Sequence, residues 1–280
     1  MQRVIDFHTH VFPDALAPRA IAQLTINAAA SGYVPRTDGT VAGLLASMDL
    51  ANIHRSVICN IATNPRQMKN VNDFAIFLKE NERLIPLGSL NPHATPEEIT
   101  TELDKLKDAG IPGIKIHPDY MGVDLDAEAF FPIFKACAER NMFVITHAGY
   151  DPVRPDHTHC TPNMVLRVID RHPDLKLVVA HAGGFSRERE VPEKLCGAPV
   201  WLDTSLCALR NAASTDVGAL CAEILRRHDP SRVLFATDTP WSDPVAEIQF
   251  IENLKLPRGT EEGILAKNAE ALLASCGWIC

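Results

Sequence analysis

The sequence predicts an α/β fold of the (β/α)8 (TIM) barrel class, one domain over residues 1–280, and three observations carry that expectation. Eight short β-branched or apolar runs recur along the chain, longer stretches of helical period separate them, and no glycine-rich loop follows the first run. The runs span residues 4–7, 56–61, 84–90, 113–117, 143–147, 176–181, 200–204 and 232–237. Amphipathic stretches of helical period lie between them, among them 41–52, 96–109, 127–140 and 217–228. Such spacing suits strand–helix units rather than hairpins. The runs are apolar on both faces, as strands are when helices cover one side and a closed sheet encloses the other. Eight units in about 250 residues is the usual size of such a barrel. The rival is an open doubly wound sheet, which carries a glycine-rich phosphate loop after its first strand. Here His8-Thr9-His10-Val11-Phe12-Pro13 stands in that place.

Composition narrows the partners. With 46% hydrophobic and 22% charged residues, the chain can bury a sizeable core as an ordinary globular protein. A net charge of −8 argues against nucleic acid or an anionic membrane as a partner. No apolar run approaches the roughly 18 residues of a membrane-spanning helix. Asp6, His8 and His10 interrupt the start of the chain where a signal peptide is unbroken and apolar. Eight cysteines, at 59, 137, 160, 196, 207, 221, 276 and 280, form no CxxC pair and read as reduced residues of a cytoplasmic protein. The expected partner is a small-molecule substrate, and a homo-oligomer is left open.

The chemistry gathers at strand ends. Functional residues of these barrels come from the carboxyl ends of strands and the loops beyond. His8 and His10 end the first run, two residues apart and so on one face of a strand. Lys115 and His117 end the fourth, His147 the fifth, His181 the sixth and Asp238 the eighth. A lone histidine at a strand end is usually structural, but coincidence explains four such ends badly. Neutral imidazoles and a carboxylate converging on one mouth are a donor set for a zinc-like ion.

The ordered set of HxH, THAG (146–149), AHAGG (180–184) and TDTPW (237–241), with the closing AKNAE segment (266–270), resembles the amidohydrolase superfamily. Within it the chain is most similar to the amidohydrolase-related branch that contains aminocarboxymuconate semialdehyde decarboxylase and related metal-dependent hydrolases. The resemblance implies a divalent metal, zinc by expectation, held by His8, His10 and His147 and completed by Asp238. It makes His181 an acid/base residue, or a ligand of a second metal in binuclear relatives. Lys115 resembles the lysine that bridges two metals, when carboxylated, in dihydroorotase-like members. One ion is favoured, and two are expected if Lys115 is carboxylated.

The leading functional expectation is hydrolysis of a small polar or anionic amide, lactone or ester by metal-bound hydroxide. In it Asp238 takes the proton and His181 serves the leaving group or the developing oxyanion. The alternative is decarboxylation of an aromatic or unsaturated carboxylic acid with the same ligands, and a catalytically silent metal-binding scaffold is a third reading. Candidate substrate contacts are His117, Lys115, Arg154 and His159, and Arg187 and Arg189 also flank the mouth. Asp203, Ser205 and Trp241 are weaker candidates for the pocket, and Gly183 and Gly184 for a close approach to substrate or backbone.

Overall fold

The computed structural model describes residues 3–29 and 32–278. Its strands are β1 (Ile5–Thr9), β2 (Arg55–Ile58), β3 (Leu84–Pro86) and β4 (Gly113–Ile116), then β5 (Phe143–Thr146), β6 (Leu177–Val179), β7 (Trp201–Asp203) and β8 (Val233–Leu234). They pair in chain order and in parallel. Hydrogen bonds at two seams close the ring. Between β3 and β4, Lys115 N donates to Gly88 O at 2.8 Å; between β8 and β1, Phe7 N donates to Phe235 O and Asp238 N to His8 O, both at 2.8 Å. The barrel expected from the sequence is the fold.

Helices cover the outside. The first six are α1 (Ala17–Asn27), α2 (Val41–Ala51), α3 (Met68–Leu78), α4 (Pro96–Asp108), α5 (Pro118–Met121) and α6 (Phe131–Glu139). There follow α7 (Pro162–Arg171), α8 (Val191–Lys194), α9 (Cys207–Ala213), α10 (Thr215–Arg227), α11 (Pro244–Asn253), α12 (Arg258–Glu262) and α13 (Asn268–Ser275). Their starts are written locally. Thr40 and Thr161 cap α2 and α7, and Thr95 and Glu98 form a reciprocal capping box on α4 that satisfies two amide groups with no partner inside the helix. No element was expected over α1, whose first turn carries Pro18 and no side-chain cap. The helix expected over 127–140 begins only at Phe131, after a 3-10 turn at Glu128–Phe130.

Every strand after β1 is shorter than its apolar run, β3 and β8 most of all. Beyond Leu234 the amide groups turn elsewhere: Phe235 N donates to Ile264 O, Ala236 N to Thr204 Oγ1 and Thr237 N to Asp6 Oδ1. Beyond Pro86, Ser89 N likewise donates to the Asn72 side chain.

Two apolar cores result from strand alternation. Ile5, Phe7, Val57, Ile85, Phe143, Ile145, Val178 and Leu234 fill the barrel interior and pack with Ala266, Ala269, Leu272 and Leu273. The alternate residues, such as Ile58, Leu84, Ile114, Ile116, Val144 and Leu202, pack outward against the helices. The AKNAE segment therefore plugs the amino-terminal end of the barrel, and Asn268 Nδ2 fixes it by donating to the carbonyls of Pro230 and Val233 at 2.8 and 2.7 Å. The carboxyl-terminal end carries the site. The seven described cysteines are free thiols, and Cys280 lies outside the described residues.

Candidate metal centre and active site

The inward position of His8 does not follow from simple alternation. Ile5 and Phe7 point into the barrel, so the next residue would face out. Between the pairs Asp6–Ser56 and Thr9–Ile58, β1 carries one residue more than β2. Such a bulge re-aims the side chains that follow it. Asp6, buried beside the bulge, accepts from the amides of His8 and Thr237 and from Thr237 Oγ1, which ties β1 to the chain beyond β8. Burial pushes the Asp6 carboxyl up to about 7, against those hydrogen bonds.

Three donors then meet. Asp238 Oδ1 lies 3.0 Å from His10 Nε2 and 3.6 Å from His8 Nε2. Two ligands on one tetrahedral zinc stand ~3.3 Å apart, given bonds of about 2.0–2.1 Å. His8 Nδ1 lies 2.9 Å from Asp203 Oδ2. A carboxylate only accepts, so Nδ1 carries the hydrogen and Nε2 presents its lone pair to the centre. Burial above all, then the nearby Lys115 charge, holds His8 well below the usual histidine range, so it is neutral.

A hydrogen-bond relay orders the next two histidines. Ser205 Oγ donates to Asp203 Oδ1 and accepts from His181 Nδ1 at 2.8 Å, which leaves His181 Nε2 to accept from His147 Nδ1 at 3.1 Å. The relay ends on His147 Nε2, a buried nitrogen with a lone pair and no protein partner. Burial drives both rings well below the ordinary histidine pKa. His181 enters the mouth from a left-handed backbone, φ 59°, and Asp238 from one at φ 65°. Non-glycine residues in that region cost free energy and cluster at functional sites.

Of the four ligands expected from sequence, His8, His10 and Asp238 share one point. His147 stands beside His181 and stacks on His117, ring centres 4.0 Å apart, rather than closing on that triad. The donor set suits a divalent ion: two imidazole nitrogens and a carboxylate oxygen converge, and one buried nitrogen, His147 Nε2, is left over nearby. Lys115 is buried with Nζ 2.9 Å from His8 Nε2, and burial pushes its pKa down.

A cavity of about 550 Å³ opens above the centre, lined by His8, His10, Lys115, His117, His147, His181 and Asp238. Tyr33, Tyr120, Phe185 and Trp241 wall it with rings. His117 faces Asp151, Nε2 to Oδ2 3.4 Å. Two expected substrate contacts do not line it. Arg154 Nε donates to the Asp119 carbonyl at 3.3 Å, and His159 Nδ1 pairs with Asp124 Oδ1 at 2.7 Å, because the chain beyond the cavity-lining Tyr150, Asp151 and Pro152 folds back onto the α5 region. Arg187 is tied to Glu190 and does not line it. Asp203 and Ser205 sit behind the histidines as their orienting groups rather than in the pocket. The close backbone approach falls at Gly149, where a Cβ would lie 2.2 Å from the Phe185 backbone, more than at Gly183 or Gly184. Asp119 and Asp151 were missed from sequence, since neither ends a strand run. Asp119 Oδ2 is buried without a partner, 3.9 Å from His147 Nε2.

The amidohydrolase family model matches residues 5–274. The chain belongs to the amidohydrolase family. This amidohydrolase is 27% identical over 226 residues to a 2-amino-3-carboxymuconate-6-semialdehyde decarboxylase of Dictyostelium discoideum, a match covering 67% of the chain and 60% of that relative's length. Its fold is shared with solved structures. A 5-carboxyvanillate decarboxylase of Novosphingobium aromaticivorans, with bound manganese, superposes at a TM-score of 0.67 with 17% identity over 97% of each chain. A Pseudomonas putida protein assigned as a 2-pyrone-4,6-dicarboxylic acid hydrolase superposes at 0.66 with 16% identity over 98% of each. At such identities the likeness carries the fold alone. No described helix is long and apolar enough to cross a membrane.

Proposed function

We propose that this amidohydrolase is a metal-dependent decarboxylase of an aromatic or unsaturated carboxylic acid. The observation that carries the reading is the meeting of His8, His10 and Asp238 at the floor of a ring-walled cavity that His181 also enters. The decarboxylase activity of the Dictyostelium relative favours carbon dioxide release over the hydrolysis that the residue types alone suggest. His8 Nε2, His10 Nε2 and Asp238 Oδ1 would hold the divalent ion, with the unpartnered His147 Nε2 nearby. Zinc, manganese, iron and cobalt all accept such nitrogen and oxygen donors. When bound, the ion supplies Lewis acidity and charge neutralisation for a substrate carboxylate and its neighbouring oxygen. His8, His10 and Asp238 converge on a single point, which supports a site for one ion.

The side chains supply the proton economy. Loss of carbon dioxide needs one proton delivered to the carbon that bears the carboxylate. The C–C bond then breaks, and its electron pair stays on that carbon. Asp238, at the cavity floor between His8 and His10, is placed for the delivery. His181, held through Ser205 to Asp203, lines the same cavity, and solvent restores the proton that Asp238 gives up. The aromatic walls offer faces on which a ring can pack.

The test is product analysis on a panel of aryl and unsaturated carboxylic acids, with lactones and amides alongside. The expected result is one carbon dioxide per substrate consumed, lost on chelation and restored by zinc, manganese or cobalt. Hydrolysis products without carbon dioxide would overturn the proposal.

A further inference from the structure

Among the described residues that line the cavity, Lys115 is the only lysine or arginine, and it sits at the floor beside His8. The other formally charged side chains facing the space, Asp151 and Asp238, are acids. The nearest rings give no hidden cation. Arg210 lies behind Phe185, 4.4 Å over its ring, and is paired with the buried Glu188. The lining that comes from helices rather than strand ends is apolar: α1 contributes Leu24 and α3 contributes Val71 and Phe74, with Leu16 ahead of α1. The polar groups there, such as Gln23 and Gln67, are uncharged amides.

We propose that the substrate is a monocarboxylic acid whose end remote from the carboxylate is uncharged and apolar, an alkyl, alkoxy or aryl extension of the ring. The inference rests on the decarboxylase reading and goes further by assigning the outer wall. One carboxylate is served at the metal corner. A second would lose part of its water beside Val71 and Phe74 and find no cationic partner among the described lining residues there. Burying an anion unpaired is strongly unfavourable. An apolar extension instead removes hydrocarbon from water on both partners. At about 550 Å³ the cavity falls in the range that encloses drug-sized ligands and leaves room for that extension.

The experiment measures binding of benzoate, 4-butoxybenzoate and terephthalate to the zinc- or manganese-loaded protein by calorimetry. The expected order is 4-butoxybenzoate tightest, by about tenfold over benzoate on the usual worth of added methylenes in an apolar pocket, and terephthalate weakest, on the order of a hundredfold below 4-butoxybenzoate. Phe74→Arg, and separately Val71→Arg, should shift the terephthalate to 4-butoxybenzoate affinity ratio at least about tenfold toward the dicarboxylate. Metal content and circular dichroism check that each variant folds, and the wild-type order decides alone if neither does. Terephthalate binding as tightly as 4-butoxybenzoate overturns the neutral-tail assignment while leaving the decarboxylase reading in place. Failure of all three acids to bind the loaded protein overturns both.

Discussion

The floor and the outer wall of the cavity are built on opposite principles. At the floor, barrel strands deliver His8, His10 and Asp238, and behind them Asp203 and Ser205 fix the orientation of His8 and His181. Most polar atoms there have a partner, while His147 Nε2 and the neighbouring Asp119 Oδ2 are buried without one. The outer wall comes from the flanks of α1 and α3, presents aliphatic and aromatic side chains with neutral amides, and is partly open to solvent. The difference separates two jobs. The floor sets which bond breaks, through charge and proton placement. The wall sets which molecule enters, through shape and desolvation.

Changes at the floor should therefore cost turnover, and changes at the wall should alter selection. The largest effect is expected from Asp238→Asn, which removes both a donor to the metal and the proton carrier. Turnover should fall by about a hundredfold or more, the usual worth of general acid–base catalysis, with metal content reduced by elemental analysis. His181→Asn should lower turnover on the same scale while the protein keeps its metal. Next comes Asp203→Asn. It disturbs the carboxylate that sets the His8 tautomer, so metal affinity should weaken by about 10–100-fold, the usual cost of losing such a partner, as read in a competition titration with a chelator. Phe74→Ala at the wall should raise KM several-fold, on the order of one lost apolar contact, and leave kcat within about twofold. Equal loss of kcat in Phe74→Ala would erase the division between floor and wall.

The smallest effect is one of stability. Glu247 is buried and accepts from the amides of Ala208 and Leu209 at the start of α9, yet burial raises its carboxyl well above the ordinary glutamate range. The folded state then holds this proton more tightly than the unfolded chain. Its contribution is fully present below the ordinary value of 4.5 and is lost as pH rises from there toward the raised folded value. Glu247→Gln keeps an acceptor without the charge, so its melting temperature relative to the parent should climb with pH from 4.5 to 8. A constant difference across that range would show that Glu247 ionises normally in the fold.

Comparison of β5 with β1 shows what the sequence could and could not convey. In β5 the inward residues alternate regularly through Phe143 and Ile145 to His147, and the same arithmetic carries Leu234 and Ala236 to Asp238. Those positions are legible from period alone. In β1 the bulge between Asp6 and Thr9 reverses the alternation, and at His181 a left-handed backbone does so after Val178 and Ala180. The resemblance of the motifs named both histidines, but strand periodicity could not have aimed them. The orienting role of Asp203 was equally hidden, since its partner His8 is 195 residues distant. Arg154 and His159 show the reverse limit. Their charge suited a substrate carboxylate, but where a rim loop folds depends on contacts such as Asp119 and Asp124 that leave no periodic trace.

The central claim is that the floor delivers a proton to carbon as carbon dioxide leaves. Its most direct test is turnover of an accepted acid by the metal-loaded protein in deuterium oxide, and in a parallel reaction in oxygen-18 water. The account predicts stoichiometric carbon dioxide and one deuterium at the carbon that bore the carboxylate, with no oxygen-18 in the remaining product. Oxygen-18 incorporated into a product carboxylate, with no carbon dioxide released, would contradict it.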